Sequence, residues 1–266
     1  MKRKMLAAAL AALAVAAASA KEAVLVVGGH PDDLVGSAGL CFLLKDRFDL
    51  HLIDYTCGAY MQSNDSAIAK TRMAEERAAC ALLGMTPYFM EEIDGRAFAG
   101  EEACRKMSEL IRKIKPRCVI LHWPVDIHKD HMMSAAAGLK AIEMSGLQPE
   151  ILFFEETWQS KNFPVHYLVD ITSVWDRKVE LIRCYKCQNI NDAIVENKYR
   201  DGKFRGSQLH PPEDGRVAEA YSVFQSPRQG FRSLLSELPK PGPMTAPATV
   251  KPPAPGTVKY TGPASR

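Results

Sequence analysis

Two short clusters of histidine and aspartate carry the residue types of hydrolytic chemistry: Gly29-His30-Pro31-Asp32-Asp33 and Asp126-Ile127-His128-Lys129-Asp130-His131. Neutral imidazoles and a carboxylate, three groups from the protein with a fourth position open to water, are what a hydrolytic Zn²⁺ takes. His30 and Asp33, three apart in a turn, can converge on one ion, and His131 can close the set. Asp32 then lies beside the ion, where water is acidified toward a pKa of about 7 and a carboxylate can take its proton. His128 is left to support a ligand or to stabilise an oxyanion, with Asp130 placed to hold its ring. Fe²⁺ and Co²⁺ accept the same ligands, so the ligand set defines a divalent transition metal more sharply than it defines zinc. Taken singly each cluster is weak, because Asp before a helix is commonly an N-cap and His–Asp pairs are common on surfaces. The competing reading is caps plus surface charge.

Both clusters follow apolar runs that are too short for helices. Ala23–Gly28 reads as a strand buried on both faces, with the first cluster directly behind it, and Arg117–Leu121 reads as a second strand, with the other cluster opening a helix at Asp130. Further strand candidates are Leu50–Tyr55, Tyr88–Met90, Ile151–Phe154 and His166–Val169, the second of them the weakest. Helical patterns run from Ala67 to Leu83 with a Gly84 stop, Glu101 to Ile114 before Pro116, Asp130 to Met144 before Gly146, and Val174 to Cys187. Strands alternating with helices predict an α/β fold, a mostly parallel doubly wound sheet with helices on both faces. In such sheets ligands bind beyond the carboxyl ends of the strands, where both clusters stand. From about Asn189 the pattern weakens into a polar, Gly-containing segment.

The 266 residues are 47% hydrophobic and 24% charged, which excludes a disordered chain and fits one large domain. The 34 basic and 31 acidic residues are dispersed, not gathered into the footprint of a nucleic-acid binder. Lys2, Arg3 and Lys4, the apolar run Met5–Ala18 and the small residues Ala18-Ser19-Ala20 read as a signal peptide over 1–20, so the expected location is periplasmic or extracellular. No later stretch is apolar enough to span a bilayer, and no stable membrane insertion is expected after cleavage. The domain is expected over 21–238, and the Pro-rich segment 239–266 as a flexible tail. Seven scattered cysteines cannot all pair within one chain. Cys184-Tyr-Lys-Cys187 lacks the preceding strand of a thioredoxin-type motif.

The His-Pro-Asp-Asp and His-x-Asp-His motifs resemble those of the LmbE/PIG-L-like family of zinc-dependent N-deacetylases. Arg72-Met-Ala-Glu75 with Leu83-Gly84, Asp94-Gly95, Val169-Asp170-Ile171-Thr172 with Lys178 and Gln188, Arg205-Gly206 and Ala218–Tyr221 extend the similarity across Val24–Phe224. The resemblance implies a Rossmann-like fold and zinc on His30, Asp33 and His131. It further implies Asp32 as general base, His128 as oxyanion stabiliser or proton donor to the leaving amine, and sugar contacts from Arg72 and Asp94. The implied substrate is an N-acetylglucosamine-type saccharide or conjugate. Leu34 stands where the family commonly has Glu, and Cys187 where Ser usually precedes Gln.

On the residues alone, Arg72 could equally lie on the solvated face of its helix. His51 reads as a packed or edge residue of a strand and His122 as a candidate support for a metal ligand. Trp123 and Trp158 could stack on a sugar or belong to the core. Gly28-Gly29 with Gly36 and Gly39 breaks dinucleotide-fingerprint spacing. The expected function is metal-dependent N-deacetylation; the alternatives are a non-catalytic saccharide-binding protein on the same fold and an amidase acting on a non-sugar amide.

Overall fold

A computed structural model describes residues 21–188, 192–210 and 215–238. The signal peptide expected over 1–20 and the tail expected over 239–266 lie outside the described residues. Among these residues, one seven-stranded sheet has the order β3-β2-β1-β4-β5-β7-β6. Its strands are β1 (Ala23–Gly28), β2 (Asp49–Thr56), β3 (Thr86–Glu92), β4 (Cys118–His122), β5 (Glu150–Phe154), β6 (Tyr167–Asp170) and β7 (Ala218–Gln225). The first five are parallel to their neighbours, and β7 is antiparallel to both β5 and β6. This is the expected α/β, Rossmann-like architecture.

Alternation along the central strands sends successive side chains to opposite faces, and each face has its own core. Val24, Val26, Leu52, Ile120 and Leu152 pack on one side with helices α1 (Ala38–Leu44), α2 (Ala67–Leu83) and α5 (Trp175–Ile182). Leu25, Val27, Ile53, Leu121 and Phe153 pack on the other with α3 (Glu101–Ile114) and α4 (Lys129–Ser145). The helices end where the sequence places their stops. Gly84 and Gly146 adopt φ of 64° and 72°, and α3 ends two residues before Pro116.

Two expectations need correction. The segment after Asn189 contains α6 (Asp192–Gly206) and β7. Helix α6 buries only Val195, Gly202 and Gly206, so it carries no apolar stripe to be read. In β7 the periodicity is broken by Glu219, a buried carboxylate that accepts from Gly39 N, Leu40 N and Lys178 Nζ at 2.7–2.9 Å and thereby ties β7 to α1 and α5. The helix expected over Val174–Cys187 ends at Ile182, and a separate 3₁₀ turn follows at Lys186–Gln188. Cys184 and Cys187 are not bonded to each other; all seven cysteines are free thiols.

The sheet order reverses direction between β1 and β4. Both His/Asp clusters leave the carboxyl ends of these two strands, at the switch point where open α/β sheets bind ligands.

Candidate metal and catalytic site

The turn after β1 is organised around Asp33. Its Oδ2 accepts the backbone N–H groups of Gly29 and His30, each at 2.8 Å, and Nε2–H of His122, the last residue of β4, at 2.9 Å. With that oxygen saturated, Oδ1 faces His131 Nε2 at 3.4 Å. His131 lies in the first turn of α4, and its other nitrogen faces Asp126 Oδ1 at 3.3 Å. A carboxylate behind an imidazole in this way fixes its orientation and raises its basicity as a ligand. His30 places Nδ1 3.5 Å from Asp33 Oδ2 and turns Nε2 toward Asp130 Oδ2 and Asp94 Oδ1, at 3.3 and 3.4 Å.

Asp130 does not hold His128 through its carboxylate, as the sequence led us to expect. Asp130 Oδ2 accepts from Gly95 N at 2.6 Å and addresses His30, whereas its backbone N–H donates to His128 Nδ1 at 3.3 Å. His128 is the N-cap of α4, and with Nδ1 accepting, its proton resides on Nε2. Its ring lies 4.6 Å from that of His30 and 4.7 Å from that of His131.

Three overlapping sets of donors could each hold a cation, with ligand atoms within 4.8 Å of one another: Asp33, His122 and His131; His30, His128 and His131; His30, Asp94 and Asp130. The expected trio of His30, Asp33 and His131 is therefore brought together but distributed over two of these sets. The donors fit a divalent transition metal, being imidazoles and carboxylates in a largely buried pocket. Asp130 Oδ1 is buried without a hydrogen-bond partner, as a group shaped for a cation centre would be.

The charges are strongly coupled to this packing. Burial alone would lower the His131 pKa, but Asp33 and Asp126 outweigh it and raise it to about 10. Burial opposes the ionised Asp33, yet His131 and His122 hold it well below the usual carboxylate range. Burial, together with the cations His30 and His131, lowers His128, which favours its neutral form.

Asp32 occupies a different position from its neighbour. Its backbone is left-handed, with φ 117° and ψ −17°. Arg72 Nη2 donates to Asp32 Oδ1 at 2.9 Å and also to Pro31 O, while Nη1 donates to Gly58 O at 2.8 Å. Gly58 has φ 68°, and a Cβ there would lie 2.6 Å from the guanidinium, so only glycine admits this contact. Arg72 is thus 9% exposed and not on a solvated helix face. Burial pushes the Asp32 carboxyl up to about 7, against the lowering effect of Arg72 and with a further push from Asp33.

Asp32 and Asp33 open into a cleft of about 510 Å³ whose far wall is built by Trp158, Asn197, Lys198 and Arg200. Trp158 is 63% exposed. Trp123 instead packs edge-on against Phe153 and Phe163 and donates to Lys161 O, which makes it a structural residue. His51 pairs with Asp49 and stacks on Tyr88 within the sheet, remote from the clusters. His122, which the sequence marks as a candidate support for a metal ligand, holds Asp33, and Asp126, a member of the second cluster given no role from the sequence, holds His131. Buried Glu76 and Asp54 carried no signal in the sequence.

The family model described as PIG-L: GlcNAc-PI de-N-acetylase matches residues 25–142. The 4-oxalmesaconate hydratase of Pseudomonas putida is 24% identical over 193 residues, covering 62% of this chain and 73% of the hydratase. The crystal structure of GalB, the 4-carboxy-2-hydroxymuconate hydratase of Pseudomonas putida KT2440, superposes with a TM-score of 0.66 at 20% identity, covering 80% of this chain and all of that one. N,N′-diacetylchitobiose deacetylase from Pyrococcus horikoshii gives 0.63 at 23% identity, covering 76% and 83% of the two chains. The matched segment contains both His/Asp motifs and is similar to the PIG-L family, and the fold of the chain is shared with these enzymes.

Proposed function

We propose that this protein is a zinc-dependent hydrolase that removes the N-acetyl group of an N-acetylglucosamine-containing saccharide or glycoconjugate and releases acetate. The observation that carries this reading is Asp32: a carboxylate beside the His30, Asp33 and His131 donors, open to the cleft and held near neutrality. A divalent cation held by those three residues would polarise the acyl carbonyl and acidify the attacking water. Asp32 accepts the proton of that water. The Nε2–H of neutral His128 donates to the oxyanion that develops on the acyl oxygen, and the proton taken by Asp32 passes on to the departing amine. In this reading Asp94, against His30, meets the sugar hydroxyls, Arg72 holds Asp32 in place, and Asp130 keeps His30 oriented. Export under the N-terminal leader would present the enzyme to periplasmic or extracellular glycans.

A second reading, hydration of a carbon–carbon double bond conjugated to a carboxylate, is favoured by the similarity to the Pseudomonas putida hydratase. It uses the same first step, with Asp32 taking the water proton. The two are separated by incubating the protein with N-acetylglucosamine, N,N′-diacetylchitobiose, an N-acetyl peptide and 4-oxalmesaconate. Acetate is followed for the first three and ultraviolet absorbance for the last. Acetate release from the sugars supports the deacetylase; release from the peptide alone moves it to the non-sugar amidases, and loss of absorbance without acetate replaces it with the hydratase. Asp32→Asn should keep its metal and lose roughly 10²–10⁴-fold in turnover. Sugar binding without turnover in the unmodified protein would leave only a saccharide-binding role.

A further inference from the structure

Asp32 is gripped at both ends by one helix. Arg72 and Glu76 lie one turn apart on the buried face of α2, and while Arg72 holds the carboxylate, Glu76 Oε2 accepts the backbone N–H of Asp32 at 2.8 Å. A non-glycine residue at φ 117° persists only when its surroundings over-determine it. The hydrogen bond to Glu76 supplies that constraint, because it fixes the peptide plane that sets the direction of the Asp32 side chain. Glu76 is itself immobilised: it is fully buried, and Oε1 accepts from Tyr185 O–H at 3.0 Å. Tyr185 is buried in the core beneath α2 and α5. Burying a carboxyl group beneath a helix is costly unless its hydrogen bonds are made, and here the bonds made run from the core to the backbone of Asp32.

We propose that Glu76 is a positioning residue for the reaction, holding Asp32 in its left-handed conformation through the Asp32 N–H and anchored in turn by Tyr185. The proposal rests on Asp32 acting as the general base. The hydrogen bonds of Glu76 go to Asp32 N–H, Tyr185 O–H and Cys80 Sγ, not to the metal-holding residues.

Glu76→Met removes both acceptor oxygens at nearly constant volume, whereas Glu76→Gln keeps a carbonyl oxygen for the Asp32 N–H. With whichever substrate of the panel above is turned over, Glu76→Met should lower kcat by roughly 10- to 100-fold, the usual effect of a misaimed reacting group. KM and metal content should stay as in the parent. Glu76→Gln should recover most of the loss, and Tyr185→Phe should show a smaller loss of the same kind. In an Asp32→Asn background Glu76→Met should cost nothing further, since there is no base left to aim. Hydrogen exchange at the Asp32 amide, which needs no substrate, should accelerate roughly tenfold or more in Glu76→Met, as expected for loss of a buried hydrogen bond. Unchanged exchange at Asp32, or a Glu76→Met penalty that is undiminished in the Asp32→Asn background, would overturn the proposal. Full activity of Asp32→Asn itself would instead overturn the assignment of the base, which the exchange measurement does not depend on.

Discussion

Truncating Arg72 to Ala tests whether this residue belongs to the scaffold of the site or only meets the substrate. Its guanidinium donates to Gly58 O, Pro31 O and Asp32 Oδ1 from a position that is 9% exposed. Each buried acceptor left without its donor costs about 1–3 kcal/mol. The ion pair to Asp32 counts at the low end of that range, because the Asp32 side chain keeps 29% of its exposure and solvent screens part of it. The sum is about 3–7 kcal/mol, the lower part of which matches the roughly 3–5 kcal/mol for removing one member of a buried pair. With a urea slope of about 2–3 kcal/mol per molar, a loss of about 3–5 kcal/mol should lower the midpoint by about 1–2.5 M. Equilibrium unfolding in urea followed by tryptophan fluorescence measures it. Arg105→Ala, which breaks exposed bonds to Glu102 and Glu109 on α3, should leave the midpoint where it was. An unchanged midpoint for Arg72→Ala accompanied by a raised KM would refute the reasoning and return Arg72 to the role of a substrate contact.

Asp33→Ala and His131→Ala should each lower the zinc bound per chain together with activity, read by elemental analysis after dialysis against a defined zinc buffer; full occupancy in both would exclude them as ligands. The chelated protein should melt at lower temperature as pH rises from about 6.5 to 8. His131, with its pKa raised from 6.5 to about 10, contributes stability fully present below 6.5 and lost as pH rises through 10. Glu76, raised by burial from 4.5 to about 8, contributes stability fully present below 4.5 and lost through 8. A melting temperature that climbs over this interval would contradict both signs. Gly206→Ala should destabilise the fold by about 1–3 kcal/mol, since the added Cβ would lie 2.0 Å from Arg216 O and that backbone leads directly into β7; calorimetry showing no change would mean that the end of α6 is free to shift.

The residues that carry the chemistry were legible because chemistry restricts residue type and spacing. His30, Asp32, Asp33, His128 and His131 stand in two short motifs behind two strands, and the runs that build β1 and β4 have no other reading at their length. The helices α2, α3 and α4 were equally plain, because Gly84, Pro116 and Gly146 stop the chain by backbone geometry alone. What remained hidden depends on partners distant in sequence. Glu219 reads as an exposed residue until Lys178, Gly39 and Tyr221 surround it, so β7 lost its alternation and went unseen. Helix α6 packs through glycines against β7 and presents Lys198 and Arg200 to the cleft, a face that no apolar pattern announces. The same holds inside the site. Asp130 turned out to serve His30 rather than His128, and Arg72 and Glu76 to serve Asp32, because the direction of a hydrogen bond is set by where α2, α4 and the strand ends meet. Local sequence determines which groups can ligate or titrate; only the packing of the sheet against its helices decides which of them face one another.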